Sequence, residues 1–595
     1  MREEDGNTLL KNLITIGIIL NIIVFNVLPF IYLYQYRYYP YPPPPPYSRI
    51  YFGSMNIAKD IDPQYAWDDA SFDAIIMTWE GLLALNLSHP EMALYPLLAT
   101  DLGTYDPTGT ELTFNLKQGV KFHDGTDFNA DTVVWSFQRL HYLMNTTWNG
   151  APHPWGPLPE TCFYNIPTIV DSLYYVQGVP IIQKVEAITP RQVRFTLSQP
   201  YGPFRALLAF PASVIMSPTS TPQLDYINPA LVDTGICVGT GPMVIQKLEA
   251  YEVRFTAFED YHRPRIGFDV LVHVKIQDDE ARNMAVLSGA IDIIADPFAS
   301  YFPAMEAEGA VLLYEAEYKA ITQYLGFNNK QINVTWRNAI SYAINYSSII
   351  DRIQKNEFAT YTINPVRTTR LKSPIPEGVL YANWSFNYPK FNITKAREIM
   401  QSMGFGVGWD PSFPGNHETQ WQSANFRTLN LTYNVGGSVT ISDVIFITLE
   451  DNLAHIGIYL GYAGMPWDDL KDRLYNLRIK SAGWDALQLY YWWWIPDLND
   501  PSNYLNTLFS NISTYNAAQV NDPYLQTLLE QGVAETDPTR EAIYDEIQRY
   551  LVEDLRPHAW LYVEKNYDAW DKHLRGFPSN VMDLAYFYPC YWEQS

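Results

Sequence analysis

Alternating apolar and polar side chains predict two consecutive strands in the first quarter of the chain. Leu112, Phe114 and Leu116 alternate with polar neighbours, and the pattern continues at Val120 and Phe122 after a short turn. A two-residue period places the apolar side chains on one face of a strand. We therefore expect two half-buried strands here.

Apolar residues repeating every three to four positions predict three helices. The first covers residues 131–143 and the second residues 336–350, while the third opens with Asp537 as N-cap and Pro538 at its first helical position. Strands and helices mix along the chain without a repeated period. This pattern predicts an α/β or α+β fold rather than a solenoid.

An uncharged apolar run occupies residues 12–36, behind a short N-terminal tail of residues 1–11. The run is long enough to cross a bilayer as a helix, and the tyrosines at its end suit a membrane interface. It exceeds the apolar region of a secretion signal, and no small-x-small cleavage site follows it. We predict an uncleaved transmembrane anchor at the cell surface with an extracellular body; a cleaved signal of unusual type is the alternative.

A Tyr/Pro-rich linker, residues 37–49, follows the apolar run and contains YYPYPPPPPY. Consecutive prolines favour a stiff polyproline II rod, so this linker is predicted to hold the body away from the membrane. Eight N-x-S/T sequences permit N-glycosylation if the body is extracellular. They lie at Asn86, Asn145, Asn333, Asn345, Asn383, Asn392, Asn430 and Asn511.

Composition and charge narrow the classes of function. A chain of 595 residues is too long for one hydrophobic core, which predicts two or three domains. Aromatic residues make up 15% of the sequence, which favours a compact body with an aromatic-rich surface or cleft. The net charge of -24 argues against nucleic acid as a partner, because binding phosphates requires clustered Lys and Arg.

The three cysteines indicate no metal site, because none has the spacing of metal ligands. A Cys162–Cys237 disulfide in an oxidising compartment and three buried thiols, with Cys590, are both compatible with the sequence. No catalytic or cofactor motif is recognisable, and His123 in FHDG is better explained as a turn residue than as a catalytic base. We therefore predict a binding protein without a cofactor rather than an enzyme.

The segment Trp492–Asn506, WWWIPDLNDPSNYLN, combines three adjacent Trp residues with a run of turn-forming residues. Broad aromatic faces beside an isolated carboxylate are typical of a recognition surface. A core strand that ends in a surface turn would carry the same residues. Composition alone leaves both interpretations open.

Several blocks in a shared order resemble the extracytoplasmic solute-binding proteins of ABC importers, in the dipeptide/oligopeptide-binding class. The clearest is PLLATDLGTYDPTGTELTFNLKQGVKFHDGTDFNADTVVWSFQRL from Pro96. GTGPMVIQKLEAYEVRFTAFEDYH follows from Gly239, KAREIMQSMGF from Lys395, NDPSNYLNTLFSN from Asn499 and TREAIYDEIQRYLVEDLRP from Thr539. The resemblance covers nearly the whole chain after Ile50.

This resemblance implies an α/β, two-lobed periplasmic-binding-protein-like fold with an extra inserted subdomain. The lobes would close over a ligand and deliver it to a membrane permease. Lobe I would comprise residues 50–84, 201–315 and 571–595, the inserted subdomain residues 85–200, and lobe II residues 316–570.

The resemblance also implies ligand-binding roles in the Trp-rich segment. In peptide-binding relatives an Asp at the position of Asp497 pairs with the ligand's amino group, and an aromatic residue at the position of Trp494 lines the cleft. The backbone of Trp493–Ile495 would pair with an extended ligand as an added strand. Trp67, Asp68 and Asp69 match the first-lobe segment that supplies further contacts.

Two departures from the family pattern leave the ligand open between an oligopeptide and an oligosaccharide. Leu498 replaces a family tyrosine, and Trp492, Trp493 and Trp494 replace the usual Gly-Trp pair. Indole faces can stack on sugars, so these three Trp residues are also candidate sugar platforms. A cell-envelope or sensory protein that retains the fold is a further alternative, because of the predicted anchor and stiff linker.

Overall fold

The computed structural model describes residues 48–593, with gaps at 67, 90–91, 144–172, 177–178, 224, 309–310, 356–367, 436–440, 467–468, 471–472, 475–486, 514 and 537–538. The predicted anchor, nearly all of the Tyr/Pro-rich linker, Trp67, Asn145, Cys162 and the predicted helix start at Asp537 and Pro538 lie outside the described residues. Within these ranges, no helix has both the length and the apolar character needed to cross a membrane.

Short strands and helices alternate along the described chain. The strands are β1 (Arg49–Ser54), β2 (Leu83–Leu85), β3 (Leu94–Pro96), β4 (Thr104–Tyr105), β5 (Glu111–Asn115), β6 (Tyr175–Val176), β7 (Val179–Pro180), β8 (Ile182–Thr189), β9 (Gln192–Leu197), β10 (Met243–Leu248), β11 (Glu252–Ala257), β12 (Val270–Lys275), β13 (Ile293–Ala295), β14 (Val311–Tyr318), β15 (Thr322–Phe327), β16 (Thr368–Arg370), β17 (Arg427–Asn434), β18 (Ile458–Met465), β19 (Leu489–Trp494), β20 (His558–Asp571), β21 (Leu574–Arg575) and β22 (Tyr591–Trp592). The α-helices are α1 (Asp69–Thr78), α2 (Ala130–Leu143), α3 (Phe204–Leu207), α4 (Asp279–Leu287), α5 (Phe302–Glu308), α6 (Val334–Ala343), α7 (Tyr346–Lys355), α8 (Ile393–Ser402), α9 (Glu418–Ser423), α10 (Ile441–Ala454), α11 (Pro501–Phe509), α12 (Pro523–Ala534) and α13 (Arg540–Arg549).

Twelve of the described strands form one sheet that extends through two lobes. The first lobe contributes β10-β11-β12-β1-β13 and the second contributes β15-β19-β17-β18, with β20 between them and β14 and β16 also paired to β20. The start of β20 pairs with β15, where His558 lies opposite Gly326. Its end pairs with β13, where Trp570 lies opposite Ile293. A single long strand therefore connects the sheets of the two lobes.

Parallel pairs with helical crossovers lie on both sides of β20. β1 is parallel to β12 and β13, and α4 connects those two strands; β17 is parallel to β18, with α10 between them. Every residue of β15, Thr322–Phe327, is buried, as expected for a strand covered on both faces. The mixed strands and helices confirm the α/β prediction.

A second sheet, β4-β5-β9-β8, packs with α2 in the region of the predicted inserted subdomain. The predicted helix at residues 131–143 is confirmed as α2, and the predicted strand around Leu112 and Phe114 is confirmed as β5. The second predicted strand, at Val120–Phe122, is wrong. Lys121 forms only an isolated antiparallel bridge with Asp127, on one side of a tight turn across which Phe122 N–H donates to Thr126 O at 2.9 Å, although Val120 and Phe122 are buried.

The helix predicted at residues 336–350 is two helices, α6 and α7. Ile344 has extended backbone angles, φ -72° and ψ 121°, and ends α6. The Asn345 side chain then accepts the N–H of Ser348 at 3.0 Å, as an N-cap residue does. The third predicted helix is found as α13, with Thr539 at its N-cap position and Tyr544 and Ile547 buried.

The described cysteines, Cys237 and Cys590, are buried and free. Among the sequon asparagines, Asn345 and Asn383 are half-buried, and the Asn383 amide donates to Asp545 at 3.1 Å. Glycosylation stays a prediction at the exposed sites. These are Asn86, Asn333, Asn392, Asn430 and Asn511.

Candidate ligand-binding cleft

The Trp-rich segment begins as a core strand and ends at a cavity wall. β19 pairs antiparallel with β15, where Trp494 lies opposite Thr322 and Trp493 opposite Gln323. The chain then turns, and the Asp500 side chain caps α11 by accepting the N–H of Ser502 at 2.9 Å. The segment is therefore a core strand at its start, and its residues Trp492–Asp497 line a cavity, while its role in recognition stays a prediction.

The three Trp side chains differ in exposure and contacts. Trp492 is only 4% exposed and stacks on Trp493 with ring centroids 4.8 Å apart. Trp493 and Trp494 are half-buried, and Trp494 meets Tyr515 edge-on at 5.3 Å. The buried Trp494 Nε1–H has no hydrogen-bond acceptor among the described residues. A buried indole N–H usually finds a partner, so this donor is unsatisfied in the described part of the chain.

Asp497 is a carboxylate without a cationic partner in the described chain. Its backbone N–H donates to Asn503 Oδ1 at 2.7 Å, and the Asn503 amide reaches Asp497 Oδ2 at 3.5 Å. Burial raises the pKa of Asp497 to about 7; the Asn503 hydrogen bond opposes this rise and the nearby Asp69 carboxylate adds to it. A ligand cation at this position would satisfy the carboxylate.

The first-lobe wall opposite Asp497 is the start of α1. Asp68 is the N-cap residue, and its carboxylate accepts the backbone N–H of Ser71 at 3.0 Å and the Ser71 hydroxyl at 2.8 Å. Asp69 occupies the first turn and lines the cavity. Withdrawal from bulk water raises the pKa of Asp69, and repulsion by Asp68 adds to the rise, while Lys319 opposes it.

These segments surround a cavity of about 970 Å³ between the lobes. Of the residues predicted from the sequence, Asp68, Asp69 and the entire run Trp492–Asp497 line it. The wall beside α1 is apolar. Its side chains include Phe72, Ile76, Leu97, Phe210 and Val214.

Another carboxylate in the cavity wall, Glu80, is already satisfied. It accepts hydrogen bonds from the Tyr261 hydroxyl at 2.7 Å and the Thr240 hydroxyl at 2.9 Å, and the His262 ring lies 2.7 Å away. Asp497 and Asp69 are therefore the cavity carboxylates best placed to attract a ligand cation.

Lys319 is a cavity residue that the sequence did not reveal. Its Nζ lies 2.8 Å from Asp296 Oδ1 and 2.9 Å from Asp583 Oδ2. Burial lowers the pKa of Lys319, but the Asp583 and Asp296 carboxylates outweigh burial and hold it above the usual range. Asp583 lies 264 residues from Lys319 in the sequence, so no local pattern could have indicated this cluster.

His123 has a structural role, as expected from the sequence. Gly239 N–H donates to His123 Nδ1 at 3.3 Å, and His123 Nε2 lies 2.9 Å from Gly241 O. Burial lowers the pKa of His123 and favours the neutral ring. The described residues also contain no group of three or more His, Cys, Asp or Glu residues placed to hold a metal ion.

Comparisons with known proteins agree with this architecture. The sequence profile of the family described as "Bacterial extracellular solute-binding proteins, family 5 Middle" matches residues 93–516. Heme-binding protein A of Haemophilus influenzae is 25% identical over 474 residues, 76% of each chain. Glutathione-binding protein GsiB of Shigella dysenteriae is 24% identical over 529 residues, which cover 87% of this chain and 89% of GsiB.

A solved structure is also similar to the chain. The dipeptide-binding protein of Pseudoalteromonas sp. SM9913, in complex with Met-Leu, has a TM-score of 0.65 at 19% identity. The match covers 92% of this chain and 100% of that protein. This likeness supports the two-lobed fold.

Proposed function

Because the chain belongs to the bacterial extracellular solute-binding proteins of family 5, we propose that it captures an oligopeptide between its lobes and delivers it to an ABC permease. The observation that carries the choice of a peptide is Asp497, a cavity carboxylate without a cationic partner in the described chain. The free amino group of a peptide supplies the missing charge.

The rest of the cavity suits the other parts of a peptide. The Trp494 Nε1–H can donate to a peptide carbonyl group, and the apolar wall at Phe72, Ile76 and Phe210 can receive apolar side chains. A glutathione-binding relative and a structural neighbour with bound Met-Leu support this ligand class.

Peptide binding is expected to weaken as the pH falls below 7. Asp497 must be ionised to pair with the ammonium group, and its pKa is about 7 before binding. Pairing lowers that pKa, so affinity is retained above pH 7 and is lost as the pH falls through 7. Between pH 7.5 and 5.5 we expect Kd to rise about 20-fold, as measured by calorimetry.

An N-acetylated peptide of the same sequence is the matched control for this titration. It has no ammonium group, so its Kd is expected to stay nearly constant over the same range. Parallel pH profiles for the two peptides would contradict the role of Asp497.

An oligosaccharide is the second candidate ligand, favoured by the half-buried indoles of Trp493 and Trp494 on the cavity wall. Sugar hydroxyls carry no charge, so sugar binding would lack the loss of affinity below pH 7. Trp494→Ala is expected to weaken either ligand by about tenfold, because it removes an aromatic contact and a donor. Titration of the native protein and of Trp494→Ala with peptide and sugar libraries measures this loss of affinity. Unchanged affinity would show that the ligand does not bind beside Trp494.

We also propose residue bounds for the two lobes and an attachment to the membrane. Lobe I (residues 50–84, 201–315 and 571–595) and lobe II (316–570) close about β20, while residues 85–200 form the inserted subdomain. Residues 12–36 anchor the receptor and residues 37–49 space it from the membrane.

The cell-envelope or sensory alternative predicts that the domains do not close when a ligand is added. Solution X-ray scattering with and without peptide would detect such a closure.

A further inference from the structure

A second pocket of about 230 Å³ adjoins the main cavity at the first-lobe end of β20. Asp69, Asp583 and Leu584 line both spaces, so the pocket and the cavity share a wall. Asp69 also contributes to the raised pKa of Asp497, so the pocket begins close to the proposed ammonium site. We refer to it as the acidic side pocket.

Carboxyl groups outnumber cations in the acidic side pocket. Asp69, Asp73, Asp296, Asp568 and Asp583 line it. Lys319 pairs with Asp296 and Asp583 from the adjoining cavity.

Arg282, the one cation among the described residues of the pocket lining, is already engaged. Arg282 pairs with Asp279, and its guanidinium donates to Ile276 O at 2.9 Å. The described residues therefore leave more carboxyl groups than available cations in the acidic side pocket.

A buried acceptor in the same wall also lacks a donor. Asn566 is 1% exposed, and its amide Nδ2 donates to Asp583 Oδ1 at 2.7 Å, which fixes the orientation of the amide group. Its Oδ1 has no hydrogen-bond partner among the described residues. Since a buried acceptor without a donor is costly, this atom independently indicates a ligand that carries N–H groups.

The pKa values of carboxyl groups in this pocket are also raised, and a bound cation would lower them. Burial raises the pKa of Asp568 to about 8, and repulsion by Asp583 adds to the rise. Burial likewise raises the pKa of Asp73 well above its usual range. The carboxyl groups are not arranged as a metal site in the described chain, which favours an organic cation.

We propose that the acidic side pocket binds the ammonium or guanidinium side chain of a ligand whose backbone lies in the main cavity. The site would therefore select peptides with a basic residue near the amino group. The selectivity for peptides rests on the proposed function; the affinity of the pocket for an organic cation does not.

The experiment compares n-butylguanidinium with the neutral isostere n-butylurea by calorimetry on the complete protein. We expect the native protein to bind the cation about tenfold more tightly, because it forms charge-assisted hydrogen bonds. Asp568→Asn and Asp296→Asn, on separate elements of the pocket, should each reduce this preference to less than about threefold. Asp497→Asn removes the proposed ammonium site of the main cavity, so the preference that remains in this variant belongs to the acidic side pocket.

Equal binding of the two compounds to the native protein, or a preference lost only in Asp497→Asn, would overturn the acidic side pocket. Tripeptides with lysine or norleucine at each position then test the link to peptide capture. If no peptide binds while the n-butylguanidinium preference persists, the proposed function fails and the pocket stands. If peptides bind but lysine gives no advantage over norleucine, the peptide-selective role fails.

Discussion

Replacing Asp497 by alanine is expected to weaken the binding of a free-amine peptide by about 2–5 kcal/mol, since the change strands the ligand's ammonium group in a cavity without its counter-charge. This loss corresponds to a Kd increase of roughly 30-fold to several thousand-fold. Glu80 cannot compensate, because Tyr261, Thr240 and His262 already surround its carboxylate. Calorimetric titration of the native and variant proteins with one peptide measures the change.

Two controls isolate the charge at Asp497. Asp131→Ala removes an exposed carboxylate that does not line the cavity, so its peptide affinity should match the native value. An N-acetylated peptide should lose little affinity on Asp497→Ala. Equal losses for the free and acetylated peptides would show that the variant damages the cavity and that Asp497 does not recognise the amine.

The fold was predictable largely because its signals are local and occur in a fixed order. The Pro96–Leu140 block contains both the alternation that forms β5 and the helical period that forms α2. Where the prediction failed, a distant contact decided the structure. His123 N–H donates to Gly239 O at 2.9 Å next to the turn that replaces the second predicted strand.

The break between α6 and α7 has a similar cause. The apolar period continues across Ile344, which is why one helix was predicted. Asn345 N–H instead donates to Asn452 Oδ1 at 2.6 Å, and the Asn345 side chain caps the next helix. The preference of Asn345 for an N-cap position competes with continuation of the helix, and its hydrogen bond to Asn452 on α10 favours the break.

The candidate site was predictable only where its residues lie together in sequence. The Trp492–Asp497 run and the Asp68–Asp69 pair were recognised as short segments, and both line the cavity. Lys319 and Asp583 come from distant parts of the chain and meet beside β20. Their pairing depends on the tertiary fold, so neither residue carried a local signal.

A second large effect concerns the attachment of α2 to the first lobe. Arg139 on α2 is fully buried, and its guanidinium donates to Asp62 Oδ1 at 3.1 Å, Gln64 Oε1 at 2.8 Å and Pro222 O at 2.7 Å. The Asp62 carboxylate also accepts the backbone N–H of Ile227 at 2.8 Å. The Asp62 carboxylate is therefore buried beside one guanidinium, and it depends on Arg139 for its counter-charge.

Arg139→Met is expected to lower the free energy of unfolding by about 3–5 kcal/mol, because methionine fills similar space but leaves the Asp62 carboxylate buried without a cation. Arg194→Met is the matched control: Arg194 pairs with Glu111 at 3.1 Å on a partly exposed surface, where such a pair contributes about 0–1 kcal/mol. Urea denaturation followed by Trp fluorescence compares the two variants. Similar midpoint shifts would mean that Asp62 finds other compensation; a large shift for Arg139→Met alone would identify this ion pair as a main attachment of α2 to the first lobe.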